Sequence, residues 1–318
     1  MTVDANLFLD AAVSEETAAF NADLLETMAA LPDQWSVPPH VVRQKREEGI
    51  GPFPVHPLSP RAETIEIPGV DGMIALRVIA PHGPARGVYL HIHGGGWTLG
   101  APHHDDPRLE TIADKNGLVA IAVKYRLAPE HPYPAGPDDC EAAALWLVDN
   151  APERFGTSRL TIGGESAGAH LSVTTLLRLR DRHGITPFCG ANLVAGCYDL
   201  SLTPSARRWG PEKLVLNTRD ITKFVGCFLP NGTDPSDPNI SVIHADLGGL
   251  PPALFSVGTK DALLDDSLFM AARWQAAGNA SELAVFPGGC HVFQAFPITI
   301  AQESRDRMDR FLQAVVAA

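Results

Sequence analysis

A serine set between two glycines carries the first chemical signal. In Gly164-Glu165-Ser166-Ala167-Gly168 the glycines stand two positions before and two after the hydroxyl. The segment follows the apolar run Leu160-Thr161-Ile162-Gly163 and precedes a helical run that starts at Ala167. A strand turning sharply into a helix here holds Ser166 in a strained conformation, projects its hydroxyl, and puts a helix N-terminus beneath any developing negative charge. A hydroxyl is a weak nucleophile without a base. His291, in Gly288-Gly289-Cys290-His291-Val292-Phe293, follows the last expected strand and precedes the last expected helix, and it is the base this pattern selects. His170 falls inside the helix behind the serine and His183 follows that helix; His244, in a loop before a strand, ranks second. The base needs a carboxylate to orient it. Asp261 stands just past Phe255-Ser256-Val257-Gly258 and 30 residues ahead of His291, whereas Asp265 and Asp266 suit the opening turn of a helix. The last part is His93-Gly94-Gly95-Gly96-Trp97. Acyl transfer creates an oxyanion, and residues without side chains let backbone N–H groups crowd around it. Gly95 and Gly96, with the N–H of Ala167, are the expected donors. A dinucleotide loop, G-x-G-x-x-G, fails because its sixth position is Leu99. His93 reads as a structural hydrogen-bonder.

With Tyr125-Arg126-Leu127-Ala128-Pro129-Glu130-His131-Pro132-Tyr133-Pro134-Ala135, these blocks resemble the bacterial hormone-sensitive-lipase-like (family IV) carboxylesterases of the α/β-hydrolase superfamily, roughly over residues 87–293. The resemblance implies a serine hydrolase that cleaves esters of short-to-medium acyl chains through an acyl-enzyme, without a cofactor. It implies Ser166 as nucleophile, Asp261 as acid and His291 as base, and Gly95, Gly96 and Ala167 around the oxyanion. It also implies a cap built from the N-terminus and an insertion, and it is compatible with a homodimer joined through a sheet edge. Three positions depart from the family's habit: Glu165 stands where Asp is usual, Ala262 where Pro is usual, and Val292 where Gly is usual. The last sets a branched side chain beside the base and is expected to narrow the pocket. Trp97, Trp209, Phe224, Phe228 and Val292 are the candidates for contact with substrate. An amidase, deacetylase or lactonase would use the same machinery. A ligand receptor on this scaffold ranks low, because all three triad members are present.

These residues need a frame. Strands are expected over 63–67, 73–79, 87–93, 118–124, 159–163, 191–197, 253–257 and 282–286, and helices over 107–115, 138–149, 167–180, 264–277 and 300–316. Short fully apolar runs such as Val88-Tyr89-Leu90 suit a parallel sheet covered on both faces. The expected fold is α/β, an α/β-hydrolase with a mostly parallel eight-stranded sheet, helices on both faces and a helical cap. Upstream, Ser14 is a plausible N-cap for a helix with the apolar stripe Phe20, Leu24, Leu25, Met28 and Leu31, ended by Pro32; a second helix runs over about 39–48. Four prolines at 52, 54, 57 and 60 mark an extended connector. Over fifty residues without a strand separate 197 from 253, with Trp209, Leu214, Val215, Leu216, Phe224, Val225 and Phe228 in short amphipathic helices. The expected divisions are residues 1–48 as the N-terminal part of the cap, 49–198 as the first part of the core, 199–240 as the cap insertion and 241–318 as the rest of the core.

Composition narrows the partners. The 318 residues hold 25 Lys and Arg against 37 Asp and Glu, a net charge of −12, which argues against nucleic acid and anionic membrane surfaces. The longest apolar run, from Ala142 to Val148, is far too short to span a bilayer. No Lys or Arg precedes Arg43, unlike a secretory signal, and five cysteines without a Cys-x-x-Cys pair suit reduced thiols; a cytoplasmic enzyme acting on a small-molecule ester is expected. His103, His104, Asp105 and Asp106 read as a loop rather than a metal site, since adjacent positions project apart and no further ligand cluster accompanies them. Arg126 and Glu130 read as a buried pair.

Overall fold

In the computed structural model, which describes residues 3–318, eight strands form one sheet. They are β1 (Glu63–Gly69), β2 (Gly72–Ile79), β3 (Gly87–Ile92), β4 (Leu118–Val123), β5 (Leu160–Glu165), β6 (Phe188–Val194), β7 (Ala253–Lys260) and β8 (Ser281–Cys290), in the order β1-β2-β4-β3-β5-β6-β7-β8. β2 pairs antiparallel with β1 and with β4; the remaining pairs are parallel. Every residue of β3 and β4 is buried, as strands covered on both faces must be. Alternate residues divide between two layers. Val88, Leu90 and Ile92 pack with α4 (Ala135–Phe155) and α5 (Ala167–His183), and Tyr89 packs with α3 (Asp106–Asn116) and α9 (Thr299–Ala317). α8 (Leu264–Ala276) lies along β7 and β8.

Outside the sheet lie α1 (Glu15–Ala30) and α2 (Pro39–Glu47), then α6 (Pro204–Arg208) and α7 (Thr218–Phe228) in the long insertion. Ser14 caps α1 through the N–H of Thr17, and Asn217 caps α7 through that of Asp220. The two regions are tied together. Trp35 donates its indole N–H to Asp220 at 2.6 Å and meets Phe224 edge-on at 4.8 Å, Lys213 pairs with Asp220, and Arg219 pairs with Asp33.

Three elements depart from the expected boundaries for physical reasons. β6 lies three residues earlier than expected, because Ala195 takes φ 45° and ends the strand. Leu214, Val215 and Leu216 are not helical: Gly210 and Pro211 break the chain, Val215 takes φ 72°, and the flanking leucines form an isolated antiparallel bridge. β8 continues through Pro287-Gly288-Gly289 to Cys290. It is the edge strand, where a proline costs no ladder bond. The backbone of Gly289 also presses so closely on Gly258 that a Cβ there would strike its carbonyl, and a Cβ at Gly289 would strike the Phe293 ring.

Asp266 is buried under the start of the insertion. It accepts the N–H groups of Tyr198 and Asp199 and the hydroxyl of Thr203. Burial pushes its carboxyl up to about 7, against the pull of those three bonds. An acid raised on folding contributes its stability fully only below its unfolded pKa, and loses that contribution as pH climbs to the folded value. The wild type should therefore lose on the order of a few kcal/mol relative to Asp266→Asn between about pH 4 and pH 7. Urea midpoints measured across that window check this; a constant difference between the two proteins would exclude it.

Candidate active site

Three strand ends meet at one edge of the sheet. Ser166 follows β5, Asp261 follows β7 and His291 follows β8, the carboxyl side where open α/β sheets bind ligands. Ser166 sits at φ 56°, ψ −120°, a conformation that L-residues avoid and that only a well-determined turn sustains. The glycines around it are dictated by crowding: a Cβ at Gly164 or at Gly168 would fall on the carbonyl oxygen of Ile92. The N–H of Ser166 is held by Val194 O at 2.8 Å. A register shift after Gly258 pairs Lys260 with Cys290, and so places the next residue of each strand, Asp261 and His291, side by side. The hydroxyl of Ser166 lies 3.0 Å from His291 Nε2. His291 Nδ1 lies 3.0 Å from both carboxylate oxygens of Asp261, whose Oδ1 also accepts the N–H of Leu263 at 2.9 Å. Imidazole donating from Nδ1 to Asp261 keeps Nε2 free to accept the serine proton.

The glycine loop stands opposite. Among the described residues, the N–H groups of Gly95, Gly96 and Ala167 find no acceptor, and all three residues face the same cavity as Ser166 and His291. The loop is held from behind. Gly95 takes φ 113° with its carbonyl accepting the N–H groups of Thr98 and Leu99, Tyr125 donates its hydroxyl to His93 O at 2.9 Å, and its ring stacks on His93 at 4.3 Å. His93 donates from Nδ1 to Gly94 O, and burial lowers its pKa to about 4, so it stays neutral as a structural group. Unpaired N–H groups beside a hydroxyl bonded to a histidine can stabilise a tetrahedral oxyanion.

Residues 89–295 match a family model described as alpha/beta hydrolase fold. The chain belongs to the α/β-hydrolase family. It is 29% identical over 280 residues to an esterase of Acinetobacter venetianus, a match covering 87% of this chain and 89% of that protein. It is 36% identical over 222 residues to a carboxylesterase of Mycobacterium tuberculosis, covering 67% and 68%. Among solved structures, the hyperthermophilic esterase of Pyrobaculum calidifontis superposes with a TM-score of 0.85 at 29% identity, over 94% of this chain and 98% of that one. A hormone-sensitive lipase from a metagenome library superposes with a TM-score of 0.83 at 26% identity, over 96% and 99%. The motif resemblance to hormone-sensitive-lipase-like esterases thus extends to the whole fold.

The α/β-hydrolase cavity measures about 1220 Å³. Met28, Leu31, Val42, Phe53, Leu216 and Phe224 give it apolar walls above Ser166. Of the five residues expected to meet substrate, Trp97, Phe224 and Val292 line it. Trp209 and Phe228 do not. Trp209 packs in a partly buried cluster and donates to Glu212 O, while Phe228 is buried beneath the glycine loop and stacks on Trp97 at 4.6 Å. Their aromatic character reported core, not contact with ligand. Trp97 in turn donates to His170 Nδ1, and His170, lowered to about 4 by burial, donates from Nε2 to Ile240 O. His183 is taken by Glu141, and His244 lies near Asp199.

Sequence reasoning noted Glu165 only as a departure from the family. Its Oε1 accepts the N–H of Gly94 at 2.6 Å, so the residue before Ser166 anchors the glycine loop that faces it. Burial pushes this carboxyl up, the Asp105 carboxylate adds to that, and His91 opposes it. The expected Arg126–Glu130 pair does not form. Arg126 grips Asp139 of α4, and Glu130 pairs with Arg43 of α2. Among the described residues no helix is long and apolar enough to cross a membrane.

Proposed function

We propose that this carboxylesterase cleaves esters of short-to-medium acyl chains by covalent catalysis at Ser166. His291 takes the serine proton as the hydroxyl adds to the ester carbonyl, and Asp261 fixes the imidazole tautomer and stabilises the imidazolium. The N–H groups of Gly95, Gly96 and Ala167 receive the negative oxygen. His291 then protonates the departing alcohol, and the acyl group stays on Ser166 until a water, deprotonated by His291, releases the acid. The observation that carries this reading is the unbroken relay from Ser166 through His291 to Asp261, with each contact at 3.0 Å, on the floor of the cavity. We read residues 1–48 with 199–240 as a cap on a core of 49–198 and 241–318, and the cap as the part that sets acyl length. The enzyme is placed in the cytoplasm, with a small-molecule ester as partner. Its assembly is read as a homodimer through a sheet edge, of which β1 and β8 are the two.

A fluorophosphonate probe that labels the wild type and spares Ser166→Ala tests the nucleophile; labelling of both would reject it. A series of p-nitrophenyl esters tests the cap. Turnover efficiency should rise from acetate to hexanoate and collapse at dodecanoate. Phe224 overhangs the glycine loop so closely that a Cβ at Gly96 would strike its ring. Phe224→Ala should therefore favour longer chains over acetate by about tenfold relative to wild type, the scale of a changed apolar pocket. An unaltered chain-length profile would remove Phe224 from the acyl site.

A further inference from the structure

A second group of ligating side chains stands where the cavity opens to solvent. Glu47 closes α2, while His103 and His104 lie in the single 3-10 turn Pro102–Asp105 that follows the glycine loop. The divergence expected of neighbouring positions does not hold here. The two rings turn to one side, with centroids 4.5 Å apart, and each presents Nε2 to its own oxygen of the same carboxylate. His103 meets Oε2 and His104 meets Oε1, at 2.9 Å each. The three donor atoms lie within 4.8 Å of one another, and all three residues face the cavity. Spacing alone does not point to Glu47, which stands more than fifty residues before His103.

We propose that Glu47, His103 and His104 bind a zinc ion that clamps α2 to the core at the entrance of the substrate cavity. Two imidazole nitrogens and one carboxylate oxygen are the donor set of open zinc sites, which keep a fourth position for water. Half-exposed Glu47 and the partly exposed rings leave that position to solvent. Tetrahedral coordination with bonds of about 2.0–2.2 Å separates neighbouring donors by roughly 3.3–3.5 Å. The pairs at 2.9 Å reach that spacing by opening a few tenths of an ångström, within side-chain freedom. Arg46 is the neighbouring cation; its guanidinium lies over the Phe53 ring, and the fields of the Asp105, Glu165 and Glu47 carboxylates offset its charge. Without a metal, two imidazoles spend their donors on one carboxylate, although α2 is already held by Arg43 on Glu130 and Thr98 O. The doubled contact is redundant as a tether and complete as a ligand set.

Zinc titrated calorimetrically into the full-length, chelator-treated enzyme tests this without substrate, so its outcome is independent of the ester-hydrolysis reading. The wild type should bind one equivalent at this site. Glu47→Gln, His103→Ala and His104→Ala should each weaken it by about 100-fold or more, since even outer-shell partners of metal ligands are worth 10–100-fold. Their metal-free circular dichroism and melting temperatures, close to those of the wild type, report that they fold. His91→Gln, in the deeper cluster of His91, Asp105 and Glu165, should leave the titration unchanged. Zinc should also slow hydrolysis of the hexanoate ester by the wild type and not by the His103→Ala/His104→Ala double variant. No binding, equal affinity in all variants, or loss only in His91→Gln would overturn the site. Equal inhibition of wild type and double variant would overturn the clamp.

Discussion

Ser166→Ala is expected to lower ester turnover by about 10⁶-fold while leaving a folded protein, the scale at which removal of a serine nucleophile acts elsewhere. The substitution removes one oxygen, and no neighbouring group replaces it. His291 Nε2 has no other partner among the described side chains, and an imidazole facing a methyl group has nothing to deprotonate but water. Alanine meets the same backbone strain at φ 56° that serine does, so the turn is not further burdened. The residual rate should come from the N–H groups of Gly95, Gly96 and Ala167 and from binding alone. The split of parameters is diagnostic. The apolar walls and the glycine loop remain, so KM should change little while kcat collapses. Single-turnover measurements with p-nitrophenyl butyrate, with circular dichroism to confirm the fold, decide it. A rate within tenfold of wild type would place the nucleophile elsewhere.

Much of this site was legible in the sequence because it is built from local rules. A strand ending in glycine, a serine and a helix start can only make one kind of turn, and the triple glycine after β3 can only bring backbone close to it. The elements followed for the same reason: fully apolar runs marked β3 and β4, and Ser14 with the apolar stripe after it marked α1. What stayed hidden depends on contacts between distant segments. β8 runs past the expected 282–286 because an edge strand tolerates Pro287, Gly288 and Gly289, and so it reaches the Lys260–Cys290 register. That register, invisible in the pattern, brings Asp261 to His291. Trp209 and Phe228 show the converse limit: aromatic residues in an insertion carry no mark of which face will be buried. Glu47, Glu165 and Asp220 work through partners over fifty residues away, and spacing cannot reveal such pairs.

The choice among three neighbouring acids yields the second large effect. Asp261→Asn should lower kcat by about 10⁴-fold, while Asp265→Asn and Asp266→Asn should leave it within an order of magnitude. The geometry sets the argument. Both oxygens of Asp261 lie 3.0 Å from His291 Nδ1, and Oδ1 also accepts the Leu263 N–H. An asparagine has one acceptor oxygen, which the fixed backbone N–H of Leu263 claims, so its amide turns N–H toward Nδ1. The imidazole must then accept at Nδ1 and carry its proton on Nε2, facing Ser166 with a donor where the reaction needs an acceptor. The side-chain positions survive and the chemistry does not. Asp265 and Asp266 are engaged elsewhere, on Ser205 and on Tyr198, Asp199 and Thr203. A structural role for Asp261 alone would lower stability and spare the rate. The tautomer argument instead requires a near-normal melting temperature, an intact Leu263 contact and a collapsed kcat. If Asp265→Asn proved the crippling change and Asp261→Asn remained active, the relay drawn from β7 to β8 would be the wrong one.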